Sequence, residues 1–343
     1  MHEAIAAAIA SCFLQDHTPA MILCLSHSRD FYTIDIVQKR LRELNHDSCR
    51  LDSDLFSEAL RFGYGGQGAP FSFKIDAPGQ SFSNTDVQAV WYRKLWGITA
   101  PADLDPAYHA IYYQEYGTMR DLFLESMEHA VWINPVKQDH AIAGNKARQL
   151  ELAARNGLDI VPTLFSNDPE KVRSFFYESC GGAMVAKLHG TLSRSMRGNT
   201  PSFPTTLVGE EALQQLDSLP YCPMIFQQYV PALYELRVAY IDGICFAGKI
   251  DTASSGRSRT DWRFATDVHA PWKPYTLPEK TIQSLDAMMK EMRLLFGAID
   301  LIRHRDGRYI FLEVNPQGEW GMLQRDLGYP IGETIAERLV AGL

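Results

Sequence analysis

Gly297-Ala-Ile-Asp-Leu-Ile-Arg-His-Arg-Asp-Gly-Arg-Tyr-Ile-Phe-Leu-Glu-Val-Asn-Pro-Gln-Gly-Glu-Trp320 is the stretch whose reading decides the fold. Two apolar runs flank Asp306-Gly307, a dipeptide that favours a two-residue hairpin turn because both residues tolerate positive φ. With that turn Arg305 faces Arg308, and counting outward sets Asp300 opposite Glu313. Opposed residues project to the same side of a sheet. Asn315, two residues beyond Glu313, joins that side, while Ile299, Leu301, Leu312 and Val314 point the other way into a core. Two carboxylates and an amide oxygen are hard donors of the kind that suits Mg²⁺, which takes its remaining ligands from phosphates and water. On the hairpin alone, a surface ribbon with solvated acids is an equal alternative. Pro316-Gln-Gly318 then ends the strand sharply, which is unusual for a plain edge strand.

Composition narrows the class. A chain of 343 residues with 46% apolar residues has room for two or three domains with ample cores. A net charge of −8 speaks against a nucleic-acid binder held by phosphate contacts. The six cysteines are scattered without a C-x-x-C pair, so neither a zinc knuckle nor a disulfide framework is expected, and a reducing cytoplasm fits. No apolar run is long enough to span a membrane. Residues 1–20 are apolar at their start but lack a basic n-region, and read as a helical extension rather than a signal peptide.

Residues 21–135 alternate strand and helix. Met21-Ile-Leu-Cys-Leu-Ser26 suits a buried parallel strand, residues 28–45 carry helical spacing, and residues 48–51 read as the next strand. Gly63-Tyr-Gly-Gly-Gln-Gly68 lacks a Gly-Lys-Ser/Thr ending and reads as a flexible hairpin connection. Val87-Gln-Ala-Val-Trp-Tyr-Arg93 is a strand. Arg93 and Lys94 at its end could meet an anion, although a charge at the sheet rim is the simpler reading. A long helix over 107–130 and Val131-Trp-Ile-Asn-Pro135 close this doubly wound unit.

Residues 136–225 come next. Asp139 is expected to cap a helix running to Asn156, with Gly157 as its stop. Residues 160–165 form a strand, and Asp168-Pro169 starts a helix. Met184-Val-Ala-Lys187 is a strand followed by a polar loop. Taken alone, Lys187 is a snorkelling strand-end lysine. Residues 226–343 hold a second Asp-Gly hairpin around Asp242-Gly243. There Glu235 and Arg237 share a face, Gly248 lies opposite Arg237, and Lys249 falls on the other face as a solvated charge. The three arginines of Ser254-Ser-Gly-Arg-Ser-Arg-Thr-Asp-Trp-Arg263 fit a solvated loop and an acyl-phosphate clamp equally well. Residues 278–296 and 331–343 are amphipathic helices.

Glu-Val-Asn-Pro-x-Gly-x-Trp, preceded by Gly-Ala-Ile-Asp, resembles the C-terminal metal signature of ATP-grasp ligases. More narrowly, Asn-Lys-x-x-Gln-Leu, Glu-Leu-Arg-Val and Asp-Trp-Arg are similar to the ATP-grasp maturases of microviridin-type ribosomal peptides, as is the Trp-x-Asn-Pro linker. The resemblance implies an ATP-grasp fold, α/β with an α+β C-terminal part, behind an N-terminal pre-ATP-grasp domain. It implies ATP and two Mg²⁺ as cofactors, with Asp300, Glu313 and Asn315 as metal ligands. Lys146 and Lys187 match the phosphate-contacting lysines, Glu235 the ribose ligand, Arg237 the phosphate-binding arginine and Arg263 the clamp. The main chain of Gln228, Tyr229 and Val230 matches the adenine-reading hinge. The lid departs from the family pattern, with only Gly190 and Gly198 where a tighter glycine cluster is usual, although Arg194 and Arg197 could serve it as phosphate donors.

The reaction so implied is activation of Asp or Glu side chains of a leader-bearing precursor peptide as acyl phosphates, with Arg237, Arg263 and Glu313 as catalytic residues. Capture by Ser or Thr hydroxyls or Lys amines then gives esters or amides. A homodimer is the family's usual assembly. One alternative is a ligase acting on a free amino acid or a protein tail, like glutathione synthetase or the ribosomal-protein glutamate ligases. Another is a nucleotide-dependent peptide-binding module without turnover.

Overall fold

Met21–Ser26 forms β1, every residue of which after Met21 is buried. It pairs in parallel with β2 (Ser48–Asp52), and the helix Tyr32–Glu43 between them buries Ile34, Val37 and Leu41 at helical spacing. The glycine-rich segment opens a small antiparallel sheet of β3 (Arg61–Gly65), β4 (Ser72–Ala77) and β5 (Gln80–Ser83). The chain returns to the first sheet through β6 (Val87–Tyr92) and β7 (Val131–Ile133), giving the all-parallel order β2-β1-β6-β7. A long helix, His109–Glu125, precedes β7. Phe73 of the small sheet packs on Phe123 of that helix, ring centroids 4.9 Å apart.

This computed structural model describes residues 21–57, 61–66, 72–77, 80–189, 205–251 and 272–343. The expected N-terminal helix, the lid arginines Arg194 and Arg197, and Arg263 lie outside the described residues. The chain forms two compact units. The first runs to Ile133 and takes back Gly332–Leu343; the second is Asn134–Ile331. Within the first, Glu337 of the last helix (Ile331–Val340) meets Arg40 at 2.6 Å.

The second unit departs from expectation at its start. One helix was expected over 139–156, but there are two, Val136–Ala143 and Lys146–Arg155, broken at Gly144. Asn145 caps the second, its side chain accepting from Arg148 N at 3.0 Å. Asp139 therefore caps nothing; it lies inside the first short helix, fully buried.

A four-stranded antiparallel sheet follows in the order β10-β9-β11-β8: β8 (Thr163–Ser166), β9 (Met184–Lys187), β10 (Thr206–Val208) and β11 (Met224–Gln228). Asp168 caps the helix Pro169–Glu178 by accepting from Glu170 N and Lys171 N, as its Asp-Pro start requires.

The last sheet has the order β14-β13-β12-β15-β16: β12 (Ala232–Ile241), β13 (Ile244–Asp251), β14 (Lys273–Tyr275), β15 (Phe296–His304) and β16 (Tyr309–Asn315). One face carries Leu236, Val238, Ile299, Leu301 and Val314 into a core shared with Leu285, Met288 and Met289 of the helix Glu279–Glu291. The β12–β13 hairpin turns on Asp242 (φ 41°) and Gly243 (φ 94°), so Ile241 faces Ile244 and Arg237 faces Gly248 as counted from sequence. Lys249 is not a plain solvated charge: its ammonium sits 3.9 Å from the Tyr234 ring centroid, a cation–π contact.

The β15–β16 hairpin reaches the expected pairing by an unexpected route. Its turn is one residue longer than the dipeptide suggests, since His304 N donates to Arg308 O and Arg303 faces Tyr309. A bulge between Leu301 and Asp300 absorbs the extra residue, and Asp300 still faces Glu313. The bulge changes the core. Phe311, not Leu312, stands opposite Leu301 and is fully buried, while Leu312 is half-buried.

Candidate active site

The polar face of the last sheet is built across four strands. Gly248 of β13, Arg237 of β12, Asp300 of β15 and Glu313 of β16 stand in one transverse row, each facing the next in register. Arg237 Nη1 donates to Asp300 Oδ1 at 2.7 Å and Nε to Glu319 O at 3.2 Å. At the far end, Lys146 Nζ lies 2.6 Å from Glu313 Oε2, reaching in from the first residue of its helix. Two inner carboxylates are thus flanked by two cations. All four side chains keep under a fifth of their surface, so these contacts are only weakly screened.

Asn315 faces Ala298, one step along the same face. Its Oδ1 accepts from Gln317 N at 3.0 Å, the local ring that Asn favours in turns. Gly318 closes over the row. A Cβ there would lie 2.3 Å from the Ala298 Cβ and 3.2 Å from Arg237 Nη2, so the close approach demands glycine. Gly248 fills its own role differently: a Cβ would strike Leu323 at 2.5 Å, so the helix Gly321–Leu327 packs where a side chain would stand.

Two residues to which the sequence assigned no part in the site, Gln149 and Asp139, hold this face in place. Gln149 is buried and brackets β16, with Oε1 accepting from Val314 N at 3.0 Å and Nε2 donating to Val314 O at 3.0 Å. Its signal was available: three residues after Lys146, it lies on the same helix face. Asp139 accepts from Gln317 Nε2 at 2.6 Å, while its other oxygen has no partner among the described residues. Burial raises its carboxyl to about 7, against the opposing pull of Gln317 and Asn134.

An unfolded Asp releases its proton near pH 4 and this folded one near 7, so its stabilising contribution is complete below pH 4. It is lost as pH rises through 7. Asp139→Asn is therefore expected to be more resistant to urea than the parent at pH 8 and to lose that advantage at pH 5. Equal midpoint shifts at both pH values would contradict the assignment.

Lys187 ends β9, half-buried. Two residues on, His189 has its pKa lowered first by burial and then by the nearby Lys146 ammonium, so the exit of β9 lies close to the Lys146 end of the row. Glu235 is on the face of Arg237, two residues away in unbroken register. At the expected hinge, Gln228 N donates to Pro162 O and Tyr229 N to Ala183 O. Those two amides are committed to main-chain partners. The structure thus brings together Lys146, Arg237, Asp300, Glu313 and Asn315, with Glu235 alongside.

No group of three carboxylate, imidazole or thiolate side chains with metal-holding geometry occurs among the described residues. The donor set is instead two carboxylates and an amide oxygen. That is sparse for a cation held by protein alone and fits Mg²⁺ completed by phosphate oxygens. The pairing of both acids with cations agrees: each carboxylate is already drawn toward positive charge.

Comparison with known proteins bears on the class. Residues 21–140 match the family of the MvdD pre-ATP-grasp domain. The fold is that of an ATP-grasp ligase, and the chain resembles macrocyclase MdnB from Microcystis aeruginosa MRC with 35% identity and a TM-score of 0.78. That match covers 94% of this chain and 99% of that one. Since that relative spans both units, the chain belongs to the microviridin-type ATP-grasp maturases. Macrocyclase MdnC of the same organism, bound with precursor peptide MdnA, shares 29% identity, with TM-score 0.82 and coverage of 94% and 99%. A RiPP-associated ATP-grasp ligase of Chryseobacterium gregarium, in complex with ADP and a leader and core peptide, shares 26%, with TM-score 0.87 and coverage of 94% and 97%. A search of curated protein sequences gives no match. Among the described residues no helix is long and apolar enough to cross a membrane.

Proposed function

We propose that this ligase uses ATP to activate Asp or Glu side chains of a ribosomal precursor peptide and joins them to Ser or Thr hydroxyls or Lys amines. The row Arg237–Asp300–Glu313–Lys146 carries the reading. Phosphoryl transfer asks a protein mainly to position reactants and to offset charge, and this row sets paired anions and cations along one rigid face. The substrate carboxylate attacks the γ-phosphorus, the bond to the β-phosphate oxygen breaks, and ADP leaves. The acceptor hydroxyl or amine then attacks the acyl carbon and phosphate departs, taking up the proton. Lys146 and Lys187 hold phosphate oxygens, and Arg237, with Arg263, steadies the transferring group. Glu235 takes the ribose. With the Gln228 and Tyr229 amides committed, the adenine edge is read by carbonyls of this segment and the Val230 amide. Asp300, Glu313 and Asn315 are the ligands for two Mg²⁺, which when bound supply Lewis-acid neutralisation of phosphate charge.

The partner is a precursor peptide with a leader segment, and the enzyme works in the cytoplasm as a homodimer. The MdnC and Chryseobacterium relatives, bound with precursor or with leader and core peptides, support that substrate class. The test is ADP release on adding ATP, Mg²⁺ and a leader-bearing microviridin-type precursor, compared with free amino acids, with loss of one water per link followed by mass spectrometry. ADP release with free amino acids alone would transfer the chain to the glutathione synthetase type. Peptide binding without ADP release would leave a binding module. Lys187→Ala is expected to weaken ATP affinity about tenfold, the scale of one charge-assisted contact. Unchanged affinity by calorimetry would remove Lys187 from the phosphate site.

A further inference from the structure

In the first unit the sheet order β2-β1-β6-β7 reverses between β1 and β6. In open parallel sheets, ligands settle beyond the carboxyl ends of the strands at such a reversal. The segments leaving there are His27-Ser28-Arg29-Asp30 after β1 and Arg93-Lys94-Leu95-Trp96 after β6. The main chain ties them together, Arg93 N and Lys94 N both donating to Leu25 O.

The carboxylates in this cluster are committed. Asp30, buried, accepts from Ser26 Oγ at 2.7 Å and Thr33 Oγ1 at 2.6 Å, with the buried Arg93 Nε 3.4 Å away. Asp54 accepts from both Ser28 N and Ser28 Oγ. Donors remain. The His27 ring stacks on Trp96 at 3.7 Å with planes 3° apart, and the exposed Arg29 guanidinium lies 5.6 Å from the Trp96 ring centroid. His27 is only 6% exposed, and its Nδ1 accepts from Arg29 N at 3.2 Å. A neutral ring so held carries its proton on Nε2, which meets no acceptor among the described residues. Trp96 Nε1 is a buried donor without a partner there. Buried N–H groups are seldom left so, and a ligand is one way to complete them.

We propose that this strand-end cluster binds a carboxylate of an acidic peptide, received by the His27 and Trp96 N–H groups and the Arg29 guanidinium. The Arg29 guanidinium fork beside two neutral donors matches the two coplanar oxygens of a carboxylate. Phe31 and Tyr32, 65% and 46% exposed, follow directly and offer apolar contact to the flanking peptide. The choice of a peptide as ligand rests on the proposed function; the anion site itself does not.

The test uses the full chain without ATP or Mg²⁺, and fluorescence anisotropy of a fluorescein-labelled glutamate-rich peptide and its glutamine counterpart. The glutamate peptide is expected to bind about tenfold more tightly, and Arg29→Gln to erase that preference. Trp96→Phe, which keeps the stacked ring and removes only the donor, should reduce it several-fold. Equal binding of the two peptides, or an unaltered preference in both variants, would overturn the proposal. Displacement by inorganic phosphate as effective as by unlabelled glutamate peptide would also overturn it, leaving a general anion site. Because the assay contains no nucleotide, its failure leaves the ligase reading standing, and absent ADP release leaves this site standing.

Discussion

Glu313→Gln should lower turnover at least about a hundredfold, the scale of losing one charge aimed at a transferring phosphoryl group. Glutamine keeps the length and one oxygen of the side chain but removes the negative charge. Glu313 faces Asp300 across the hairpin and meets Lys146 at 2.6 Å, so the change strikes the middle of the row. It also leaves the Lys146 ammonium without its anion, at a cost of about 1–3 kcal/mol. The fold is expected to persist, because the opposite face of β16 still buries Phe311 and Val314. ADP release and a urea titration measured together separate the two effects. Product yield equal to the parent would remove the metal role.

Arg237→Gln carries the second large effect. Arg237 is 7% exposed and holds both Asp300 Oδ1 and Glu319 O. Removing one partner of a largely buried pair takes the guanidinium away from Asp300, a loss of about 3 kcal/mol or more. Turnover should fall by two to three orders of magnitude if the guanidinium also steadies the transferring group, about the effect of removing one preorganised donor. Added Mg²⁺ with an ATP analogue supplies positive charge to Asp300 and should restore much of the stability, but not the turnover. Restored turnover would reduce Arg237 to a structural partner.

Much of this row could be read from the chain because hairpin pairing is arithmetic. Asp242-Gly243 gave the Arg237–Gly248 pair without error, since its two-residue turn has the positive φ values that dipeptide favours. Asp306-Gly307 gave Asp300–Glu313 through two deviations that cancel, a longer turn and a bulge. Only the core residue, Phe311 in place of Leu312, betrayed them. The helix break at Gly144 was hidden because apolar positions continue through it, from Ile142 to Leu150. Asp139 and Gln149 escaped for a different reason. Helix spacing places Gln149 on the face of Lys146, but the partners themselves, Gln317 and Val314, lie 178 and 165 residues away, and no local periodicity names them.

The clamp that Gln149 places on Val314 has a counterpart further down β16, where Phe311 N donates to Asp159 O. The outer rim of the acidic strand is therefore already occupied by the chain's own groups at both ends. No incoming backbone can zip onto it as an extra strand. On the proposed reading, a polypeptide whose carboxyl group reacts beside Glu313 would be delivered end-on or by its side chains, over the face of the sheet rather than along its border.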